Sequence, residues 1–314
     1  MKRDTPSLSG GAALRYSDIR FLLFSKVFGW ISLHMVLVAI AYQVYDVTGD
    51  VMNLAYIGLA TFAPAVGFAL FTGYTADLFD RKLVMAICFG VILVSTFLFL
   101  FWSLGNKSEV WPVFCILFIL GTGRAFYQPA SNSLVPNLVP PEIFPNAVAW
   151  HTSTNKVAQM AGPAIGGMVY LLGPEYVYGF AALGLATGLI LTCMIKTKTK
   201  KISKEPTNLR VLLAGLSYVY NKKIVFGAIT VDLFVVLCAS VTALLPVFAK
   251  DILEVGPSGA GFLRSAIAIG SLPTALLLTQ ITIDRAVGKI LFISIYVFGA
   301  ATILFGLSQV YWLS

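Results

Sequence analysis

Long apolar segments alternate with short polar ones along the whole chain. Each apolar segment has about 20 residues or more, which is the length an α-helix needs to cross the hydrocarbon core of a bilayer. Such segments must be helical, because lipid offers no hydrogen-bond partner to exposed backbone groups. The pattern therefore predicts nine transmembrane helices: Phe21–Tyr45, Asn53–Thr72, Leu83–Leu104, Val110–Leu134, Ala147–Leu171, Val177–Ile195, Ile224–Ala249, Ser258–Thr279 and Ile290–Ser308.

The composition agrees with a protein whose main solvent is lipid. Hydrophobic residues make up 58% of the 314 residues and charged residues only 11%, whereas a soluble domain carries about 25% charged residues. So few charges cannot cover a soluble fold, and so many apolar residues exclude disorder. The four cysteines lie in apolar stretches without CxxC spacing, so we expect small buried thiols and neither a disulfide framework nor a metal site. No cofactor is expected.

The basic residues are distributed unequally between the two sides of the membrane. The N-terminal tail and the loops on its side contain sixteen Lys and Arg residues, and the opposite loops contain two. Because positively charged loops stay in the cytoplasm, we predict a multi-pass protein of the inner (plasma) membrane with a cytoplasmic N-terminus. These loops also account for the net charge of +8, so we expect no nucleic-acid partner.

A basic segment after the sixth span divides the chain into three parts. Residues 1–195 are expected to form an N-terminal six-helix half, and residues 224–314 the first three helices of a second half. Residues 196–223 begin with a basic run and continue with leucines at helical spacing. This is typical of a cytoplasmic linker that contains an amphipathic helix on the membrane face.

The two halves share a local pattern after their second span. Asp77 precedes Lys82 by five residues, and Asp284 precedes Lys289 by the same spacing. Together with the equal order of spans, this indicates a duplicated helical unit.

Two motifs connect the chain to a known family. The turn after the second span contains Gly73, Asp77, Asp80, Arg81 and Lys82, and the fifth span contains Gly162, Pro163, Gly166 and Gly167. With the segments FLLFSKVFGW and GRAFYQPASNSLVP, they resemble the major facilitator superfamily, in its enterobactin-exporter-like and macrolide-efflux-like branch. The glycine motif of the fifth span is similar to the antiporter motif of that superfamily. In the turn after the second span, Asp80 stands where the family motif usually has Gly.

The resemblance implies an all-α integral membrane fold, the major-facilitator-type helical bundle. The family has twelve helices, so the chain is expected to contain a six-helix N-terminal half plus an incomplete second half, truncated after the ninth helix. In the family, the turn after the second helix holds the cytoplasmic helix ends together in one access state and releases them in the other. The transport pathway lies between the two halves.

Ionisable residues inside spans are candidates for function, because each costs about 2.5–3.5 kcal/mol at the helix centre. Asp232 is the only acid well inside a span. A buried carboxylate can alternate between its protonated and charged forms, as proton coupling requires. Arg124 or Lys156 is a plausible partner across a central cavity. A static ion pair between helices and a role in substrate binding are the alternatives.

The fifth span has a polar face. His151, Asn155 and Gln159 recur at helical spacing and are followed by Gly162 and Gly166. This face either lines a cavity or makes hydrogen bonds between helices, and His151 is a candidate proton site.

Two further cations lie nearer the ends of their spans. Lys26 in the first span is expected to reach the lipid headgroups with its ammonium group. Arg264 in the eighth span either does the same or contacts a gate.

The sequence thus predicts a secondary active transporter and not an enzyme. The predicted function is proton-coupled export of a mid-sized organic compound, a siderophore or a drug, by alternating access; the export direction comes from the resemblance. The expected partners are the lipid bilayer, the small-molecule substrate and protons. The alternatives are a truncated remnant that does not transport and an integral-membrane enzyme, although the sequence contains no polar catalytic cluster near one membrane interface.

Overall fold

The computed structural model of the chain is built from helices. It describes residues 11–105, 109–197, 222–223, 226–227, 229–231, 233, 243–280 and 287–313. The longer described helices are α1 (Ser17–Thr48), α2 (Val51–Gly67), α3 (Ala69–Leu78), α4 (Arg81–Leu104), α5 (Trp111–Leu138), α6 (Phe144–Val169), α7 (Pro174–Met194), α8 (Gly256–Gln280) and α9 (Val287–Leu307). Short helical segments are Ala12–Arg15, Tyr170–Leu172, Leu245–Val247 and the π-helix Phe248–Ile252.

The helices follow the predicted spans closely. Among the described residues, five helices are long and apolar enough to cross a membrane: Ser17–Thr48, Arg81–Leu104, Trp111–Leu138, Pro174–Met194 and Gly288–Leu307. The all-α membrane fold is therefore confirmed. Most of the predicted seventh span, the predicted amphipathic helix and the repeated turn around Asp284 lie outside the described residues.

The predicted second span is two helices and not one. Pro64 lies inside α2, and the helix ends at Gly67. Phe68 has φ −100° and ψ 7°, and its N–H donates to the carbonyl oxygen of Pro64. Proline gives no N–H to the preceding turn and glycine is a poor helix former, so both residues weaken the helix near this break. The chain then continues in α3 to Leu78.

Helix ends are fixed by short polar side chains. The Asp50 carboxylate accepts a hydrogen bond from the N–H of Met52 at 2.9 Å, and that of Asp80 accepts one from the N–H of Lys82 at 2.9 Å. Each satisfies a donor that a helix N-terminus leaves unpaired. Gly49 ends α1 with φ 63°, a conformation that favours glycine.

Helix α1 is the centre of the bundle. It packs most extensively against α7 and α6 and also contacts α2, α5 and α8. Twenty of its 32 residues are buried. The outer surface carries large apolar side chains, such as Phe101 at 69% and Leu183 at 67% exposure. A surface of this kind is stable only in lipid.

A chain of hydrogen bonds connects α1, α4 and α7 inside the bundle. The buried amide of Gln43 donates to Ser103 Oγ at 2.7 Å and accepts from the Tyr178 hydroxyl at 2.7 Å. Ser103 Oγ in turn donates to Glu175 at 3.1 Å. Hydrogen bonds between membrane helices stabilise their packing, because lipid offers no replacement partner.

Gln43→Leu is expected to lower the free energy of unfolding by about 1–2 kcal/mol, because it leaves the Tyr178 hydroxyl without its acceptor inside the bundle. Unfolding of the purified protein in detergent, followed by tryptophan fluorescence, measures the change. Thr187→Val is the control, since in the described part of the chain the Thr187 hydroxyl donates to the carbonyl oxygen of Leu183 in its own helix. Equal stability of the two variants would contradict the prediction.

A central cavity with a cationic wall

The bundle contains a cavity of about 840 Å³. Its wall is formed by α1, α2, α5, α6 and α8, together with Ala243. The polar and charged residues of the wall are His34, Thr61, Arg124, Gln128, Asn132, Asn155, Gln159 and Arg264. Aromatic and aliphatic residues, among them Trp30, Leu37 and Phe62, line the remainder. A few polar groups in a largely apolar wall are typical of a site for an organic small molecule.

The structure divides the predicted coupling and cavity residues other than His151 into three groups. Arg124, Asn155 and Gln159 line the cavity. Lys156 is half-buried and does not belong to the cavity wall. Asp232 lies outside the described residues. The polar face of α6 therefore serves the cavity at Asn155 and Gln159 only.

His151 belongs to a buried cluster between α1, α5 and α6. Lys26 Nζ lies 2.8 Å from Nε2 of His151 and 3.2 Å from Nδ1, and Ser131 Oγ lies 3.0 Å from the same Nε2. Lys26 and Ser131 have no exposed surface, and His151 is 5% exposed. The expectation that Lys26 reaches the headgroups is therefore wrong. Its ammonium group is held inside the bundle by a ring that the sequence places 125 residues away.

Arg264 also points inward. It lies on α8, which begins at Gly256, and its side chain is half-buried in the cavity wall. Arg124 on α5 lines the same cavity. His34 of α1 is within electrostatic range of both. Three basic side chains therefore converge on one cavity.

The glycines of the predicted antiporter-like motif allow close helix contacts. A Cβ atom at Gly162 would lie 2.6 Å from the Cβ of His34, and one at Gly166 would lie 2.8 Å from the Cα of Met35. Both glycines therefore face α1, and the buried Pro163 lies between them in α6. Only residues without a side chain permit this approach.

Gly167 faces a later part of the chain, the helix α8. A Cβ atom there would lie 2.6 Å from the carbonyl oxygen of Pro257 and 3.0 Å from the Cα of Gly261. Gly261 is equally constrained, since its Cβ would clash with the carbonyl oxygen of Pro163. Helices α6 and α8 thus meet backbone to backbone.

Polar contacts join the same two parts of the chain at the C-terminal end of α1, which we call the Asp46 end. Lys250 forms an ion pair with Asp46 at 2.6 Å, and the Tyr45 hydroxyl donates to the carboxylate of Asp251. The hydrogen bond to Asp46 raises the pKa of Lys250, so this side chain remains charged at neutral pH. The ion pair is partly exposed, and a pair of this kind contributes little stability by itself.

The turn between α3 and α4 marks the opposite end of the bundle, the Asp80 end. Lys82 Nζ donates to the carbonyl oxygen of Ile195 at 2.6 Å and so connects this turn to the end of α7. Arg81 is buried and Gly73 is exposed. Asp77 lies in α3, and its side chain is outside the described part of the chain.

A helical bundle with a lipid-facing surface and an internal cavity that carries a few polar groups is typical of a membrane transporter. A family model described as "Transmembrane secretion effector" matches residues 8–314. The chain belongs to this family of the major facilitator superfamily. The predicted resemblance is therefore confirmed, and a family of transporters points to a protein that is not an enzyme.

Curated relatives agree with this assignment. Macrolide efflux protein A of Streptococcus pyogenes is 25% identical over 245 residues, which cover 76% of this chain and 60% of that protein. Macrolide efflux protein A of Enterococcus faecalis is 24% identical over 230 residues, which cover 72% of this chain and 69% of that protein. The matched part of the chain thus spans 60% and 69% of the length of these two relatives.

A solved structure has the same fold. A bacterial homologue of the human lysosomal transporter Spinster, in an inward-facing and unoccupied conformation, superposes with a TM-score of 0.63 at 17% sequence identity. The match covers 94% of this chain and 70% of that one.

Proposed function

We propose that the protein exports a mid-sized organic compound across the inner (plasma) membrane, with a proton moving in the opposite direction. The cavity of about 840 Å³ is the observation that carries this proposal. Its volume lies in the range of sites for drug-sized ligands, about 300–1,000 Å³. Its wall includes both the helices before the basic linker and, through Ala243 and Arg264, the part of the chain after it.

Transport requires that the cavity open to each side in turn. We propose that residues 1–195 move as one unit against the residues from 224 onward, with residues 196–223 as the linker. The contacts at the Asp46 end, and the packing of Gly167 against Gly261, favour a conformation that is closed at that end. Motion of α8 relative to α1 and α6 would separate all of them.

The orientation follows the distribution of basic residues. We place the Asp80 end in the cytoplasm, because the predicted topology puts it on the same side as the basic N-terminal tail and linker, and basic loops stay in the cytoplasm. The gate there would be formed by Gly73, Asp77, Asp80, Arg81 and Lys82. The hydrogen bond from Lys82 to Ile195 supports this role, since it connects neighbouring helix ends.

Two groups are candidates for carrying the coupled proton. The first is the cluster of Lys26, His151 and Ser131. A charged Lys26 donates to neutral His151, and a neutral Lys26 accepts from it, so the cluster can hold or release one proton without losing its hydrogen bond. The second is Asp232, because it is the only acid well inside a predicted span and a buried carboxylate can bind and release a proton.

The names of the relatives suggest that the substrate is a drug, and a siderophore is the other class considered. Uptake into everted membrane vesicles tests the proposal with erythromycin, a catecholate siderophore, rhodamine 123 and carboxyfluorescein. We expect at least one compound to accumulate when respiration acidifies the vesicle lumen, and to leave again when a protonophore is added. If no compound accumulates above the level measured in vesicles that lack the protein, the result would favour a bundle that does not transport.

A further inference from the structure

The two arginines of the cavity have no anionic partner in the described part of the chain. Among the described residues, the ion pair formed is that of Lys250 with Asp46, outside the cavity. Arg124 and Arg264 form no hydrogen bond with a described residue, and none of the cavity-lining residues in that part of the chain is acidic. Both side chains line the cavity.

This arrangement is unfavourable while the cavity holds only water. Like charges repel more strongly in a cavity with apolar walls than in bulk water, because the effective dielectric constant is lower. His34 lines the same wall and offers its ring nitrogen atoms as hydrogen-bond partners. An anion placed between Arg124 and Arg264 would reverse the sign of these interactions.

Resting on the proposed function, we infer that the cavity binds an organic anion whose acidic group bridges Arg124 and Arg264. A planar guanidinium matches a carboxylate or a catecholate with two parallel hydrogen bonds, and the two arginines offer such groups from α5 and α8. Asn155 and Gln159 supply neutral polar contacts beside them, and Trp30 and Phe62 offer apolar surface to the remainder of the ligand.

The same wall disfavours cationic drugs. A cationic compound of similar shape would add one more positive charge beside Arg124 and Arg264, and it would gain nothing from their hydrogen-bond donors. The charge of the ligand is therefore expected to decide binding between compounds that share a ring system.

Carboxyfluorescein and rhodamine 123 provide this comparison, because both contain a xanthene ring system but carry opposite charges. Binding of each dye to the purified protein is measured by fluorescence anisotropy in detergent. We expect carboxyfluorescein to bind more tightly, and Arg124→Gln and Arg264→Gln each to weaken its binding by about tenfold or more. Arg20→Gln is the matched control, since Arg20 is exposed on α1 and is not part of the cavity wall. It should bind carboxyfluorescein as the unaltered protein does.

Arg124→Lys and Arg264→Lys keep the positive charge. They serve as controls that distinguish a loss of ligand contacts from a loss of folding. They are expected to recover part of the affinity, because an ammonium retains the attraction but not the two-pronged geometry. Tighter binding of rhodamine 123 than of carboxyfluorescein, or unchanged carboxyfluorescein affinity in both glutamine variants, would overturn the inference.

Vesicle uptake separates this inference from the proposed function. Proton-driven accumulation of rhodamine 123 without binding of carboxyfluorescein would overturn the anion site alone and leave the transporter. Arginine-dependent binding of carboxyfluorescein, without accumulation of any compound, would support the anion site and overturn export.

Discussion

Replacing Lys26 with methionine is expected to abolish proton-driven accumulation of substrate while leaving the protein folded. Methionine fills a similar volume but cannot bind a proton. The cluster with His151 and Ser131 therefore loses the group that is proposed to hold and release the coupled proton. We expect accumulation in everted vesicles to fall at least tenfold, and substrate binding to persist, because Lys26 does not line the cavity. The ratio of accumulation with and without a proton gradient measures the effect.

Stability distinguishes this role from a purely structural one. A buried cation costs several kcal/mol of desolvation, and replacing a buried charged group by an apolar one of similar size is often neutral or stabilising. The midpoint of unfolding of Lys26→Met, by heat or by a denaturing detergent, is therefore expected to equal or exceed that of the unaltered protein. A lower midpoint with normal proton-driven accumulation would show that Lys26 only holds α1 against α6.

Two comparison variants complete this test. Lys223→Met removes the same charge from an exposed position of the linker and should accumulate substrate normally. Asp232→Asn tests the second candidate for the proton site. Loss of accumulation in Asp232→Asn, with normal accumulation in Lys26→Met, would move proton coupling from the lysine cluster to Asp232.

Gly167→Ala is expected to destabilise the conformation closed at the Asp46 end. The added Cβ would lie 2.6 Å from the carbonyl oxygen of Pro257, and a backbone atom cannot move aside as a flexible side chain can. Overpacking of this kind costs about 1–3 kcal/mol, which shifts an equilibrium between two conformations by roughly five- to 150-fold. Transport should fall because the cavity remains open toward the Asp46 end for most of the cycle.

Two controls isolate the α6–α8 contact. Gly179→Ala makes the same substitution on α7, where nothing lies within 4 Å of the added Cβ, and should transport normally. Lys250→Ala removes the partly exposed ion pair with Asp46 and is expected to shift the equilibrium by at most about 1 kcal/mol. A larger shift in Lys250→Ala than in Gly167→Ala would place the closing energy in the ion pair and not in the glycine contact.

The course of the helices could be predicted from the sequence because the bilayer constrains both length and composition. The predicted third span, Leu83–Leu104, differs from α4 (Arg81–Leu104) only at its start, where Asp80 caps the helix. The break at Phe68 could not be predicted, because proline is tolerated in membrane helices and its effect depends on the neighbouring packing. Pro163 illustrates this, since α6 continues through it to Val169.

The pairing of polar groups was much less predictable than the helices. Lys26 and Ser131 contact His151 across 125 and 20 residues of sequence, so no local pattern announced the cluster. Arg264 lies within three turns of the start of α8. A long basic side chain at that depth can either reach the lipid headgroups or line a cavity, so the sequence could not distinguish the two roles. The spacing of the polar residues in the fifth span did indicate one polar face. It could not indicate that His151 and Asn155, one turn apart, face different surroundings.

Alternating access is the claim on which the whole account depends. Spin labels at Val47→Cys and Ile252→Cys, both exposed at the Asp46 end, report the separation of α1 from the other half of the chain by double electron–electron resonance. The native cysteines are replaced by serine for this measurement. We predict two distance populations whose ratio changes with pH and with bound carboxyfluorescein, and a larger share of the long distance in Gly167→Ala. A single short distance would contradict the account if it stays the same when the pH is changed, when carboxyfluorescein is bound and in the Gly167→Ala variant.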